Sequence, residues 1–316
     1  MSVTLADLAE NAQDKLVQGF INEIITDSFL LSAMTFDDCL NAGRSDLVYS
    51  YKRITELMTA KFRALNSEPE QSEIKFKRIT TSPGILSDSW KMDRVAKRAA
   101  EDLYAEYVAE SKNAIIRKFN ATVINGDTKT EKNGFDGLSK ALTGTSTEFK
   151  SAVDLSAVTK EKALAFASEM DVLLGALHRD PDAIIVAPSM YARINAVCRE
   201  LGISNVTMDG AGHRVSSWDG IRIEQLRDGA MTTNDVYAVC FGMEDFHGIT
   251  LSGGEAISVH LPDWSSPGAV KSGDAEFVCG CALRKTKSAA VLRAYVAPQG
   301  GGSGGGSEAG GEDGTE

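Results

Sequence analysis

Two thiols separated by one glycine, Cys279-Gly-Cys281, are the chain's nearest approach to a ligand pair. On a strand, residues two apart point to the same face, so the pair could begin a zinc or redox site. A structural zinc site needs a second close pair of Cys or His. His247 and His260 stand alone, as do His178 and His213. No H-E-x-x-H spacing occurs, and no G-x-S-x-G that would mark a hydrolase nucleophile. Carboxylates are plentiful, but nothing selects a catalytic pair. The thiols read as buried free cysteines. No catalytic residue, metal site or cofactor is expected.

The glycine-rich stretch "NATVINGDTKTEKNGFDGLSKAL", residues 120–142, poses a second chemical question. A phosphate cradle of the Walker type needs G-x-x-x-x-G-K-[ST] between strand and helix, so that backbone N–H groups and the lysine converge on phosphates. Gly126 is followed by Asp127, and no Gly-Lys-Ser/Thr occurs. Gly134-Phe-Asp-Gly137 is not a dinucleotide fingerprint, and it follows a helical pattern instead of a strand. The stretch reads as a structural turn. Gly126, Asp127, Gly134 and Gly137 shape it, and Phe135 and Leu138 are its apolar anchors. Gly134 and Gly137 are expected to supply backbone angles closed to other residues.

A third candidate is the basic run Lys75, Lys77, Arg78. It alternates with apolar residues, as a DNA-reading ribbon would. It equally fits a charged strand edge that meets the acidic surface of a neighbour. The protein–protein reading is preferred, with Arg53 and Arg63 as companions in contacts between copies. Composition supports that choice. The chain has 316 residues and a net charge of −11, with a pI near 5.0. Tight binding to free nucleic acid needs a positive field to displace counterions.

The elements that must position these residues follow from periodicity. Residues 1–45 carry helix-spaced Leu16, Phe20, Ile24, Phe29 and Leu30 among acids, an amphipathic arm. Residues 46–89 read as two strand-like arms around the polar centre "NSEPEQ", a long hairpin too thin to stand alone. Residues 90–119 read as one long helix, with Ser87, Asp88 and Ser89 offering N-caps. An α/β pattern follows over 151–242. A helix capped by Thr159 precedes the short strand "DAIIVAP". The next helix is capped by Ser189 and stopped at Gly202. "GIRIEQL" and "DVYAVCFG" are further strands. Alternating strands return over 243–297, and 298–316 is a Gly/Ser-acidic tail expected to be disordered. The five scattered cysteines and the lack of a leader or an apolar run of membrane length point to a soluble cytoplasmic product.

That order resembles the major capsid protein of tailed bacteriophages, with its Hong Kong 97-type α+β fold. The residues that carry the resemblance are "SYKRITELMTAKFRALNSE" (Tyr51, Arg53, Phe62, Arg63), "WKMDRV" (Asp93, Arg94), "INGD" (Asn125 to Asp127), "GFDGL" (Gly134 to Leu138) and "DAIIVAPSMYARINAV". It spans roughly 40–297. It implies an N-terminal arm (1–45), an extended loop (46–89) and a peripheral domain with a spine helix (90–150). It also implies an axial domain (151–242) and returning strands of both domains (243–297). The implied function is a structural, non-enzymatic subunit. Its hexamers and pentamers would close an icosahedral head around double-stranded DNA held by weak, non-specific contact. Scaffold, portal and decoration proteins are further implied partners. Assembly would occur in the host cytoplasm, and the product would reside in the virion, with no membrane partner. An encapsulin-like compartment is the near alternative, and a soluble α/β enzyme the distant one.

Overall fold

The computed structural model describes residues 23–24, 27–39, 48–56, 58–208, 214–227, 229–251 and 257–296. Most of the expected arm, His213 and the tail at 298–316 lie outside the described residues.

A seven-stranded sheet runs in the order β5 (Glu148–Lys150), β14 (Ala289–Arg293), β10 (Val236–Val239), β6 (Ala183–Val186), β9 (Ile221–Gln225), β8 (Arg214–Trp218), β7 (Val206–Met208). Every residue of β6 and β10 is buried. The reason is that both faces of this sheet are covered, which makes the strands read as continuous apolar runs. Ile184 and Val186 join one cluster with Phe166, Met170 and Leu173 of α5 (Lys160–Gly175) and Ile194 and Val197 of α6 (Pro188–Leu201). Ile185, Tyr237 and Val291 point the other way, into the larger core.

The α/β expectations hold in detail at Thr159, whose hydroxyl accepts from the Lys162 N–H at 3.4 Å. They hold also at Gly202, which closes α6 in the left-handed region at φ 68°. The expected cap at Ser189 is corrected. Pro188 is the first residue of α6, Ala187 precedes it without a side-chain cap, and the Ser189 hydroxyl bonds Asn234. Proline suits a first helical position because its missing N–H has no partner there anyway.

The second sheet runs β1 (Phe36–Asp38), β11 (Phe246–Thr250), β13 (Val270–Leu283), β12 (Ile257–His260), with β4 (Gly84–Asp93) also on β13. α3 (Glu101–Asn125) packs against it. Phe119 of α3 meets Phe277 of β13 at 5.5 Å between ring centres, and Phe277 meets Phe36 at 6.3 Å. Leu30, Leu31 and Met34, on and just after the short helix α1 (Phe29–Ala33), are buried in this same core. Residues 28–39 of the expected arm are thus built into their own subunit.

The helix expected over 90–119 is corrected at its start. The chain is strand through Asp93, and Gly84–Asp93 pairs residue by residue with Val270–Cys279. Trp90 and Met92 are buried while Lys91 between them is exposed, a period of two. A ten-residue ladder to β13 outweighs local helix propensity. The N-cap is Asp93, whose carboxylate accepts from the Val95 N–H at 2.7 Å. α2 (Arg94–Ala99) ends at Ala100 (φ −144°, ψ 87°), and α3 then runs 25 residues, about 37 Å at about 1.5 Å per residue. No proline or glycine accounts for the break at Ala100.

Candidate functional site

The hairpin consists of β2 (Tyr49–Glu56) and β3 (Lys75–Thr81), paired antiparallel from Tyr49↔Thr81 to Glu56↔Lys75. Residues 84–89, expected within it, belong to the β4–β13 ladder instead. β3 is exposed along most of its length, so only the root of the hairpin has a core. There Tyr49 and Tyr51 join Cys39, Ile249 and Ala282 in a small apolar cluster.

Polar anchors hold that root. Arg53 is 9% exposed. Its Nε donates to the Leu283 carbonyl at 3.0 Å and one terminal nitrogen to the Ala141 carbonyl at 3.4 Å. Arg53 was expected at a contact between copies. It is instead an internal clamp, because two carbonyls of its own chain face its guanidinium. The Leu283 N–H donates to the Tyr51 hydroxyl at 3.4 Å. The Tyr49 hydroxyl donates to Asp37 at 2.5 Å and lies 3.2 Å from Nε2 of His247. Burial, reinforced by Asp37, pushes the Tyr49 hydroxyl pKa well up. Burial holds the His247 imidazole below its ordinary 6.5, partly countered by Asp37.

The other basic residues lie outward. Lys75, Lys77 and Arg78 are exposed on β3, with Arg78 in register opposite Lys52. Lys77 lines a cleft of about 550 Å³ beside the root, together with Arg53, Ile54, His178, Lys285 and Lys287. Arg63 stays within the tip, donating to the Ser67 carbonyl at 2.7 Å.

Residues 58–74 carry no helix or strand, and the chain turns at Asn66 with φ 64°, a region asparagine tolerates. Here lies what charge-centred reading passed over. Met58 is 59% exposed, Phe62 fully so and Leu65 92%. Their four- and three-residue spacing was legible, but nothing in the sequence said that no core would cover them. Large apolar residues grouped on an exposed limb mark a partner surface.

The turn at 125–138 joins the two halves. α3 ends at Asn125, and Gly126 donates to the Thr122 carbonyl at 2.8 Å. Gly137 donates to the Gly126 carbonyl at 2.8 Å and opens α4 (Leu138–Leu142). Lys140 bridges Asp127 at 2.5 Å and Asp136 at 2.7 Å. Phe135 is 3% exposed and Leu138 fully buried, as anchors should be. The reason for the glycines is corrected. Neither Gly134 nor Gly137 has a positive φ. A Cβ on Gly126 would lie 2.3 Å from the Phe135 carbonyl oxygen, and one on Gly137 2.6 Å from the Gly126 nitrogen. Close backbone approach requires glycine at these two positions.

All five cysteines are buried and unpaired. Burial raises the Cys281 thiol to about 12 and Cys279 further. Among the described residues no cluster of His, Cys, Asp and Glu could hold a metal, and no helix is long and apolar enough to cross a membrane.

The architecture recurs in solved shells. The holo-SrpI encapsulin complex from Synechococcus elongatus PCC 7942 superposes with a TM-score of 0.59 at 13% identity, covering 84% of this chain and 86% of that one. The capsid of a native GTA particle gives 0.59 at 13% identity, covering 84% and 90%. Mycobacterium phage Bobi gives 0.58 at 12%, covering 85% and 91%. The fold is the Hong Kong 97 capsid type. In its terms β2–β3 is the extended loop, α3 the spine helix, and α5, α6 and their sheet the axial half. No protein-family model matches the chain, and no curated protein is similar to it in sequence.

Proposed function

We propose that the chain is a structural, non-enzymatic shell subunit, the major capsid protein of a tailed-phage head. Its copies form hexamers and pentamers that close around double-stranded DNA. The observation that carries this reading is the extended loop. It is clamped at its root by Arg53 and exposes Met58, Phe62 and Leu65 at its tip. A single copy offers those residues no apolar cover among the described residues, and a neighbouring copy does. The net charge of −11 suits a container whose hold on its genome is weak. The similarity to solved phage capsids supports the reading at the level of fold. Scaffold, portal and decoration proteins, assembly in the host cytoplasm and residence in the virion belong to the same proposal.

Negative-stain electron microscopy of the purified protein tests it. Closed shells tens of nanometres across are expected, and a monodisperse monomer or dimer under all assembly conditions would overturn it. An encapsulin-like compartment is the second reading, favoured by the equal TM-score to the SrpI shell. Shells produced during infection that contain nuclease-protected DNA decide for the phage head. DNA-free shells holding a protein cargo decide for the compartment.

A further inference from the structure

The cleft beside the loop's root is lined by five basic residues and, among the described residues, by no carboxylate. Arg53 and Lys77 come from the hairpin, His178 from the chain just past α5, and Lys285 and Lys287 from the chain just past β13. Thr145, Ser146 and Thr286 add hydroxyls. An isolated bridge between Ile54 and Lys285 joins the hairpin to the body at this point. The volume of about 550 Å³ lies within the roughly 300–1,000 Å³ range of small-molecule sites. In a chain of net charge −11 the cleft is a local reversal of sign.

Strand pairing makes this clustering unfavourable. Arg53 stands directly opposite Lys77 in the β2–β3 register, and Lys52 directly opposite Arg78. Like charges facing each other across a ladder destabilise it. Solvent screens such a pair poorly when one member is buried, and Arg53 is 9% exposed. Asp245 does not offset the cluster. Its side chain is 11% exposed and accepts from the Ser288 hydroxyl at 2.7 Å. His178 lies 3.3 Å from it, Lys285 3.4 Å and Arg179 3.5 Å. One carboxylate thus serves two full cations and an imidazole, and it fixes Lys285 and His178 in the cleft wall. Lys77 and Lys287 have no carboxylate partner among the described residues.

We propose that this cleft binds a compact phosphoanion, a di- or triphosphate, which bridges Arg53 and Lys77 of the hairpin to Lys285 and Lys287 of the body. Ammonium and guanidinium groups form their strongest hydrogen bonds with such ionised oxygens, and the three hydroxyls can donate to those that remain. The bound anion relieves the Arg53–Lys77 repulsion and ties β3 to the main fold. The phosphate chain is either free or the tail of a nucleotide, for which Ile54 and the lysine stems offer an apolar wall.

The test is calorimetric titration of the unassembled full chain with inorganic triphosphate at low salt, so it reads the cleft whether or not shells form. One site per chain is expected, with a raised melting temperature and slower protease cleavage within 58–74 when it is filled. K77Q/K287Q is expected to weaken binding at least tenfold and to abolish both of those effects. Both lysines are exposed, so the unliganded melting temperature should match the parent's, and K287Q alone should weaken binding in the same direction. R94Q/R98Q on α2 removes the same charge elsewhere and is expected to bind like the parent. Adenosine triphosphate that binds more tightly than triphosphate supports the proposal with a nucleotide as the source, and equal affinity supports it with the phosphate chain alone. Absence of binding overturns the proposal, as does an equal loss in R94Q/R98Q, which would reduce the effect to net charge. Duplex DNA that binds through Lys77 and Lys287 and is not displaced by triphosphate also overturns it, making the cleft a contact for nucleic acid.

Discussion

Arg53 and Leu283 lie 230 residues apart in sequence and 3.0 Å apart in space, the guanidinium Nε donating to the carbonyl. One end of the extended loop is thereby bolted to β13, the central strand of the second sheet. Replacing Arg53 with alanine leaves the Leu283 and Ala141 carbonyls without their charged donor. The expected cost is about 1–3 kcal/mol in subunit stability, measured by denaturant unfolding. Protease cleavage within 58–74 should quicken. Lysine should not restore the parent behaviour, because it cannot reach both carbonyls with a planar fork.

The loop's tip is separable from the fold. Residues 64–74 contain no helix or strand and contribute nothing to the core clusters. Their deletion is expected to leave the melting temperature of the unassembled subunit essentially unchanged while abolishing or weakening shells in sedimentation. Shells of normal stability from the deletion variant would contradict the tip's assignment as a contact between copies.

Phe135 anchors the turn. Truncation to alanine is expected to cost about 3–5 kcal/mol, the range for a fully buried ring, seen as a lowered melting temperature of the subunit. Gly137→Ala is expected to destabilise as well, since its Cβ would sit 2.6 Å from the Thr122 carbonyl oxygen and from the Gly126 nitrogen. Both effects are on folding and are read without any ligand.

His247 is fully buried at the loop's root beside Tyr49, with Asp37, Arg284 and Glu244 as the charges that act on it. Its folded pKa lies below 6.5 because burial disfavours the imidazolium. Below that value the unfolded chain binds the proton more readily than the folded one, so stability falls as pH drops below about 6.5. Thermal melts across that window are expected to show the decline in the parent and a flatter profile in His247→Gln. The depressed carboxylates, Asp245 and Asp136 among them, act at lower pH.

The five thiols are expected to stay silent toward a water-soluble disulfide reagent in the native protein and to react on denaturation. Burial raises all five thiol pKa values, Cys240 and Cys281 to about 12. The thiolate is the reactive form. Rapid native-state labelling of Cys279 or Cys281 would contradict the packed β13 face.

The sequence by itself determined the elements whose pattern is local. Thr159 and Gly202 bound their helices because a hydroxyl cap and a left-handed glycine act within one turn. The runs "DAIIVAP" and "DVYAVCFG" read as the strands that β6 and β10 are. The order of elements over roughly 40–297, from Tyr51 through the strand–helix unit at 182–197, carried the resemblance to the fold class. Tertiary structure decided whatever depends on a distant strand. Residues 87–93 read as helix start and are strand, because β13, nearly two hundred residues on, completes their ladder. Arg53 reads as a surface cation and is a clamp, because the Leu283 and Ala141 carbonyls arrive from elsewhere. Gly126 and Gly137 are needed for close backbone approach, a distance no local angle preference reveals. The bareness of Phe62 and Leu65 likewise belongs to the folded subunit, since exposure is a property of what the rest of the chain fails to cover.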